Sequence, residues 1–96
     1  MKISRDDSLI TIVGNIKSVS DYTDIQGHLQ SVMSNGSGSI TIKVVDSISI
    51  TSSVIGIFLK IIKKDGIALT VQVGNKHLYD LLNELNLLAV FNVRQI

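Results

Sequence analysis

The sequence predicts an α/β domain in which a mixed, mostly parallel sheet of four to five strands packs against about three helices. The chain has 96 residues, which is the size of one domain. Segments that alternate apolar and polar residues interchange along it with segments of helical period. Because helices that separate strands form right-handed crossovers, most strand pairs should be parallel. We therefore treat residues 1–96 as a single domain.

The composition excludes several classes of protein. A hydrophobic fraction of 45% with 18% charged residues is typical of a globular chain. The net charge of +1 and the scarcity of aromatic residues argue against nucleic-acid binding. The absence of cysteine excludes disulfides and thiolate metal sites. No leader is visible, and the apolar stretch Val54–Ile62 is too short to span a bilayer, so we expect a cytoplasmic location without membrane insertion.

The first two strands should form an antiparallel hairpin. Ile3 lies in a short strand that ends at residues 5–7, and a second alternating strand runs from Leu9 to Ile16, broken at Gly14-Asn15. A direct connection between them makes the sheet mixed.

A helix should follow, with Ser20 as its N-cap and with Asp21 and Asp24 in its first turn. Asn35-Gly36 should end it, and Ser34–Ser39 should be a loop. The apolar stripe of this helix comprises Tyr22, Ile25, Leu29, Val32 and Met33.

The third strand spans Ile40–Val44, where apolar and polar residues alternate. Asp46–Thr51 is ambiguous, because it could continue that strand or form a polar turn before a helix. The apolar segment Ser52–Lys64 is long enough to favour a buried helix, and its clustered lysines suit a helix C-terminus. Asp65-Gly66 should terminate it.

A strand over Ile67–Val73 comes next, followed by a turn at Gly74-Asn75 in which Asn75 caps a third helix. Ala89–Val93 should be a short terminal strand. The inward stripe of the third helix should be Leu78, Leu81, Leu82 and Leu85.

Candidate catalytic and metal-binding groups have simpler explanations. His28 and His77 lie on different helices without a second ligand at chelating spacing, which favours surface histidines. Asp6-Asp7 suits a turn, as Asp21 and Asp24 suit a helix start. We therefore expect no metal, no cofactor and no enzymatic activity.

Gly36-Ser37-Gly38 is not a phosphate-binding loop, whereas the lysine cluster at the end of the second helix has two interpretations. Gly36-Ser37-Gly38 precedes a strand, whereas a phosphate-binding loop opens a helix. Lys60, Lys63 and Lys64 form either a solvated helix end or a site for an anionic partner.

Thr51-Ser52-Ser53 is the informative polar cluster, because three hydroxyls precede an apolar helix. These residues cap the helix in the simplest interpretation. A functional interpretation adds phosphorylation of Ser52, which would place about two negative charges at the positive end of a helix.

Residues 51–56, Thr-Ser-Ser-Val-Ile-Gly, are similar to an Asp-Ser-Ser-Gly-Leu-Gly motif that is typical of the STAS family of anti-sigma factor antagonists. Asn75–Val93, with its leucine-rich turn and Phe91, resembles the closing helix and strand. Residues 14–17 resemble the segment that ends the family's early strand, and the element order matches over essentially the whole chain.

The resemblance implies that Ser52 is the phosphorylation site, with Ser53 and Thr51 as alternatives. It implies a partner that is an anti-sigma factor with serine-kinase activity, which holds the ATP and is bound only by the unphosphorylated chain. The expected docking face comprises Gly14, Asn15, Lys17, Ser18, Ile48, Ser49, Thr51, Ser52, Ser53 and Gly56.

Three residues depart from the family pattern. Thr51 replaces an aspartate, Lys17 replaces an acidic residue, and Val54 replaces a glycine, where its side chain is expected to crowd an approaching kinase. The alternative is therefore an unphosphorylated STAS subunit or scaffold of a larger complex, for example a stress-signalling or lipid-transport assembly.

Overall fold

The structure, a computed structural model, describes all residues from 1 to 96. It contains five strands and three helices in the predicted order. In chain order they are β1 (Lys2–Asp6), β2 (Leu9–Val13), α1 (Val19–Ser34), β3 (Ser39–Val44), α2 (Ser52–Lys63), β4 (Ala68–Val73), α3 (Lys76–Glu84) and β5 (Val93–Gln95).

The strands form one mixed sheet in the order β1-β2-β3-β4-β5. β1 and β2 form the predicted antiparallel hairpin, and the other three pairs are parallel. The α/β fold class predicted from the sequence is confirmed. Each crossover steps to the next strand in the same direction, so right-handed connections place all three helices on one face of the sheet.

The core lies between that face and the helices. Ile10 is opposite Ile42, which in turn is opposite Val71, so the buried residues of neighbouring strands form continuous rows. From the helices, Phe58 of α2 packs edge to face against Phe91, with ring centroids 5.6 Å apart. The opposite face of the sheet carries half-buried and exposed residues, as the alternation requires.

Helix α1 begins two residues earlier than the sequence pattern indicated. Its N-cap is Ser18 and not Ser20, and the Ser18 hydroxyl accepts a hydrogen bond from the backbone N–H of Asp21. Asp21 reciprocates by accepting from the N–H of Ser18, which completes a capping box. Ser20 directly precedes the acidic residues of the first turn, whereas the reciprocal pair requires the serine three residues before the carboxylate.

Several other boundaries differ. Strand β2 ends at Val13, before the glycine turn. Residues 46–51, which the sequence left open between a strand extension and a turn, form a loop. Leu85 lies beyond the end of α3 and is 47% exposed, so it does not belong to the inward stripe. The terminal strand is Val93–Gln95, because a series of turns occupies the residues just before it.

Candidate functional site

Most of the predicted docking residues come from two loops that lie side by side, and the others, Ser52, Ser53 and Gly56, lie on α2. β2 and β3 are neighbouring parallel strands, so their carboxyl ends meet at the same edge of the sheet. The β2–α1 loop (residues 14–18) and the β3–α2 loop (residues 45–51) both begin there. The family resemblance implies that both loops belong to one docking face, and the topology of the sheet brings the two loops together.

Reciprocal hydrogen bonds join the two loops. The backbone N–H of Ile16 donates to the hydroxyl of Ser47 at 3.1 Å, and the Ser49 hydroxyl donates to the carbonyl of Ile16 at 2.9 Å. The N–H of Ile48 donates to the Asn15 side-chain oxygen at 3.0 Å. These contacts satisfy backbone groups in both irregular segments and hold the loops in a defined arrangement.

Gly14 forms the sharp turn out of β2. Its φ of +92° lies in a region that side chains rarely adopt. Its N–H donates to the Asp46 carboxylate at 2.8 Å, which adds a further link between the loops. Asp46 was not among the predicted site residues, because its role depends on a turn 32 residues away.

The start of α1 is fixed by the carboxylate of Asp21. One of its oxygens accepts hydrogen bonds from the N–H groups of Lys17 and Ser18, at 3.0 and 3.1 Å. The hydrogen bond from Lys17 is the largest of the effects that lower the pKa of Asp21 below its usual range; partial burial opposes them. The charged carboxylate therefore orders the end of the β2–α1 loop.

The three hydroxyls at the start of α2 have different environments. Thr51 is the N-cap, and its hydroxyl accepts a hydrogen bond from the N–H of Val54 at 3.3 Å. Thr51 thus does the capping for which an aspartate is equally suited. Ser52 is exposed at the first helical position and takes no part in this cap, and Ser53 is exposed beside it. The capping interpretation applies to Thr51 and leaves the Ser52 hydroxyl accessible.

A hollow of about 140 Å³ joins the two halves of the site. Lys17 and Ser18 line it from the β2–α1 loop, and Thr51 and Ser53 line it from the start of α2. It is completed by Val19 and Tyr22, which sequence reasoning missed. Gly56 lies one helical turn beyond Ser53 and lines an adjoining groove.

Two apolar side chains of the candidate face are exposed, one lining the hollow and one in the β3–α2 loop. Val19 in the first turn of α1 is 82% exposed, and Ile48 in the β3–α2 loop is 54% exposed. Both supply exposed apolar area close to the ordered loops of this face. Ile48 is among the docking residues expected from the sequence. Val19 is not, because the sequence pattern places the start of α1 at Ser20, after Val19.

Val54 does not crowd this face. Its side chain is fully buried in the core, on the side of α2 that faces the sheet. The expected obstruction of a kinase by Val54 is therefore wrong, because Val54 takes the inward position of the first helical turn. Lys17, by contrast, is exposed at the face.

The histidines lie apart from this site. The Nδ1 of His28 on α1 lies 3.4 Å from the Arg5 guanidinium, and the N–H of His77 donates to the Asn75 cap. The structure contains no cluster of three or more metal-ligating side chains. None of its helices combines the length and apolar character needed to cross a membrane.

No protein-family model, curated protein or solved structure matches this chain. The fold and the two-loop face define the class of protein as a small α/β domain with a mixed, mostly parallel sheet.

Proposed function

We propose that this chain is a regulatory, protein-binding domain of the STAS type, located in the bacterial cytoplasm, whose binding is controlled by phosphorylation of Ser52. The partner is an anti-sigma factor with serine-kinase activity, so that binding of this chain influences transcription. The observation that carries the proposal is the accessible Ser52 hydroxyl at the start of α2, next to a capping hydroxyl that belongs to Thr51.

The face around Ser52 has properties that suit docking. The hydrogen bonds between Ile16, Ser47 and Ser49 order its loops before a partner arrives, which reduces the entropy lost on binding. The exposed side chains of Val19 and Ile48 offer apolar area to a partner.

Phosphorylation would change this face locally. The partner would supply ATP; the Ser52 oxygen would bond to the γ-phosphorus as ADP leaves, and the hydroxyl proton would be released. The phosphate would bring about two negative charges to a helix start whose first turn has no acidic residue. It would therefore be tolerated by the fold while altering both the charge and the shape presented to the partner.

The experiment is capture of partners from native cell extract, followed by purification of the captured ATPase and its titration against defined variants. Wild-type chain should acquire one phosphate at Ser52 when ATP is present, as measured by intact mass and peptide mapping. Ser52→Ala should bind without being modified, and Ser52→Glu should bind at least ten times more weakly. Ser4→Glu is the matched control, because Ser4 is exposed on β1, outside the docking loops, and should bind as wild type. Absence of phosphate at Ser52 would refute the switch.

A second candidate is an unmodified STAS subunit or scaffold that uses the same face. Lys17 favours it, because its positive charge lines the hollow beside Thr51 and Ser53, where the family usually has an acidic residue. This candidate predicts a stoichiometric complex that Ser52→Ala leaves unchanged and in which Ser52 carries no phosphate.

A further inference from the structure

A groove runs between α1 and α2, starting at the docking face. Its main part has a volume of about 410 Å³ and is lined by Tyr22 and Gln26 from α1 and by Ser53, Gly56, Ile57 and Lys60 from α2. Tyr22 and Ser53 also line the hollow that contains Lys17, so the two depressions are continuous. We call this continuous depression the α1–α2 groove.

The groove is positively charged at both ends. Lys17 lies at the end nearest Ser52, and Lys60 lies near the other end. No carboxylate lines either part of the groove. From Ser53 to Lys60 the helix rises about 10 Å, which is the length of three to four residues of extended chain. A short strand-like segment is therefore long enough to reach from the Ser53 end of the groove to Lys60.

Gly56 forms part of the groove surface without a structural reason for being glycine. It lies inside α2, its φ is not positive, and a Cβ added to it would meet nothing within 4 Å. Glycine at such a position weakens a helix relative to alanine. The missing side chain leaves room for another backbone to approach α2 closely.

We propose that the α1–α2 groove binds an extended, acidic segment of a partner protein, with carboxylates at Lys17 and Lys60 and backbone against Gly56. The inference rests on the proposed function, since it specifies the chemistry of the partner at the same face. It also gives a physical basis for the switch. A phosphate on Ser52 adds negative charge next to the Lys17 end of the groove, where it repels the acidic segment.

The test is an NMR titration of the ¹⁵N-labelled, unphosphorylated chain with an acetylated peptide of sequence Glu-Asp-Ser-Ala-Asp-Glu. A peptide with Gln and Asn in place of its acidic residues is the neutral control. We expect amide shifts to concentrate in the lining residues of the groove and to disappear with the neutral peptide. Lys60→Gln should weaken binding of the acidic peptide about threefold to tenfold.

Gly56→Ala provides the decisive variant. It should raise the unfolding temperature, because alanine favours the helix, and yet weaken peptide binding at least tenfold, because the added methyl group prevents the peptide backbone from approaching α2 closely. Gly27→Ala is the matched control, since Gly27 lies inside α1, has equally open surroundings and does not line the groove. It should also stabilise the chain but change affinity less than twofold.

Three results would overturn the proposal. The first is that millimolar acidic peptide causes no change in the amide chemical shifts. The second is that inorganic tripolyphosphate causes changes equal to those caused by the peptide. The third is that the groove residues shift when the chain is concentrated without peptide. The first excludes an acidic segment, the second indicates unspecific anion binding, and the third indicates that a second copy of the chain occupies the groove. Because the titration uses neither kinase nor ATP, its failure is distinguishable from a failure to phosphorylate Ser52.

Discussion

The hydroxyl of Ser47 accepts a hydrogen bond from the backbone N–H of Ile16, 3.1 Å away, inside the joint between the two docking loops. Ser47 is fully buried, and its hydroxyl also donates to the carbonyl of Ser49 at 2.7 Å. A single buried side chain therefore satisfies backbone groups in both loops. The shape of the docking face depends on this residue although it presents no atom to a partner.

Ser47→Ala should destabilise the chain by about 1–3 kcal/mol, because the buried N–H of Ile16 loses its acceptor. In a domain of this size each kcal/mol corresponds to about 4–8 °C in Tm. Ser37→Ala is the control, since the Ser37 hydroxyl makes the same type of contact, to the carbonyl of Ser39, at an exposed position. Thermal unfolding monitored by circular dichroism measures both, and equal losses would contradict the role given to Ser47.

Gly74→Ala should be strongly destabilising, by about 1–3 kcal/mol or more. A Cβ at this position would collide with the backbone carbonyl oxygen of Val45, and backbone cannot move aside as a flexible side chain can. Gly38→Ala serves for comparison, because nothing lies within 4 Å of a Cβ there. Urea titration should show a lower unfolding midpoint for Gly74→Ala and a nearly unchanged midpoint for Gly38→Ala. An unchanged midpoint for Gly74→Ala would show that β3 and β4 approach less closely at their ends.

The hydroxyls of Thr51 and Ser52, at the start of α2, should differ in their contribution to the stability of the chain. Thr51→Ala should cost about 0.5–2 kcal/mol of stability, because the N–H of Val54 loses its cap. Ser52→Ala should change stability by less than about 0.5 kcal/mol, as expected for an exposed residue without such a contact. Chemical denaturation of the two variants measures both changes in stability. A similar loss in both would mean that Ser52 also serves the fold.

Stability should fall in acid through Asp21. Because hydrogen bonds lower its pKa in the folded state, its contribution is fully present above the unfolded-state pKa and is lost as the pH falls through the lower, folded-state pKa. Asp21→Asn should be less stable than wild type at neutral pH and should flatten this acid dependence. Asp24→Asn removes the same charge from an exposed position on α1 and should retain the wild-type profile. Urea unfolding midpoints measured between pH 2 and pH 7 test this expectation. The same pH dependence in both variants would contradict the role given to Asp21.

The main elements could be predicted because their signals are local. The alternation of Ile40, Ile42 and Val44 predicted β3 correctly, and Asn75 was correctly identified as the cap of α3. Residues 46–51 stayed open between strand and turn, because a local signal there competes with a distant contact. Ile48 continues the alternation of β3, but the chain turns away because Ser47 bonds to Ile16, which is 31 residues earlier.

The candidate site combines residues named from the sequence with others that only the structure reveals. Lys17 and Ser52 were named from the sequence, and the structure brings their segments to the same edge of the sheet. The contribution of Val19 and Tyr22 to the hollow could not be foreseen, because it depends on how α1 packs beside α2. Ser47 gave no signal, since serine is usually exposed.

By itself, the sequence determined the α/β class and the order of the elements, because period, capping residues and turn glycines act over a few residues. It also identified the hydroxyl cluster at the start of α2. Only the tertiary structure decided which hydroxyl caps and which remains accessible, where α1 begins, and how α1 and α2 enclose a groove. Those outcomes depend on contacts between segments that are far apart in the chain and adjacent in the sheet, and no local pattern encodes them.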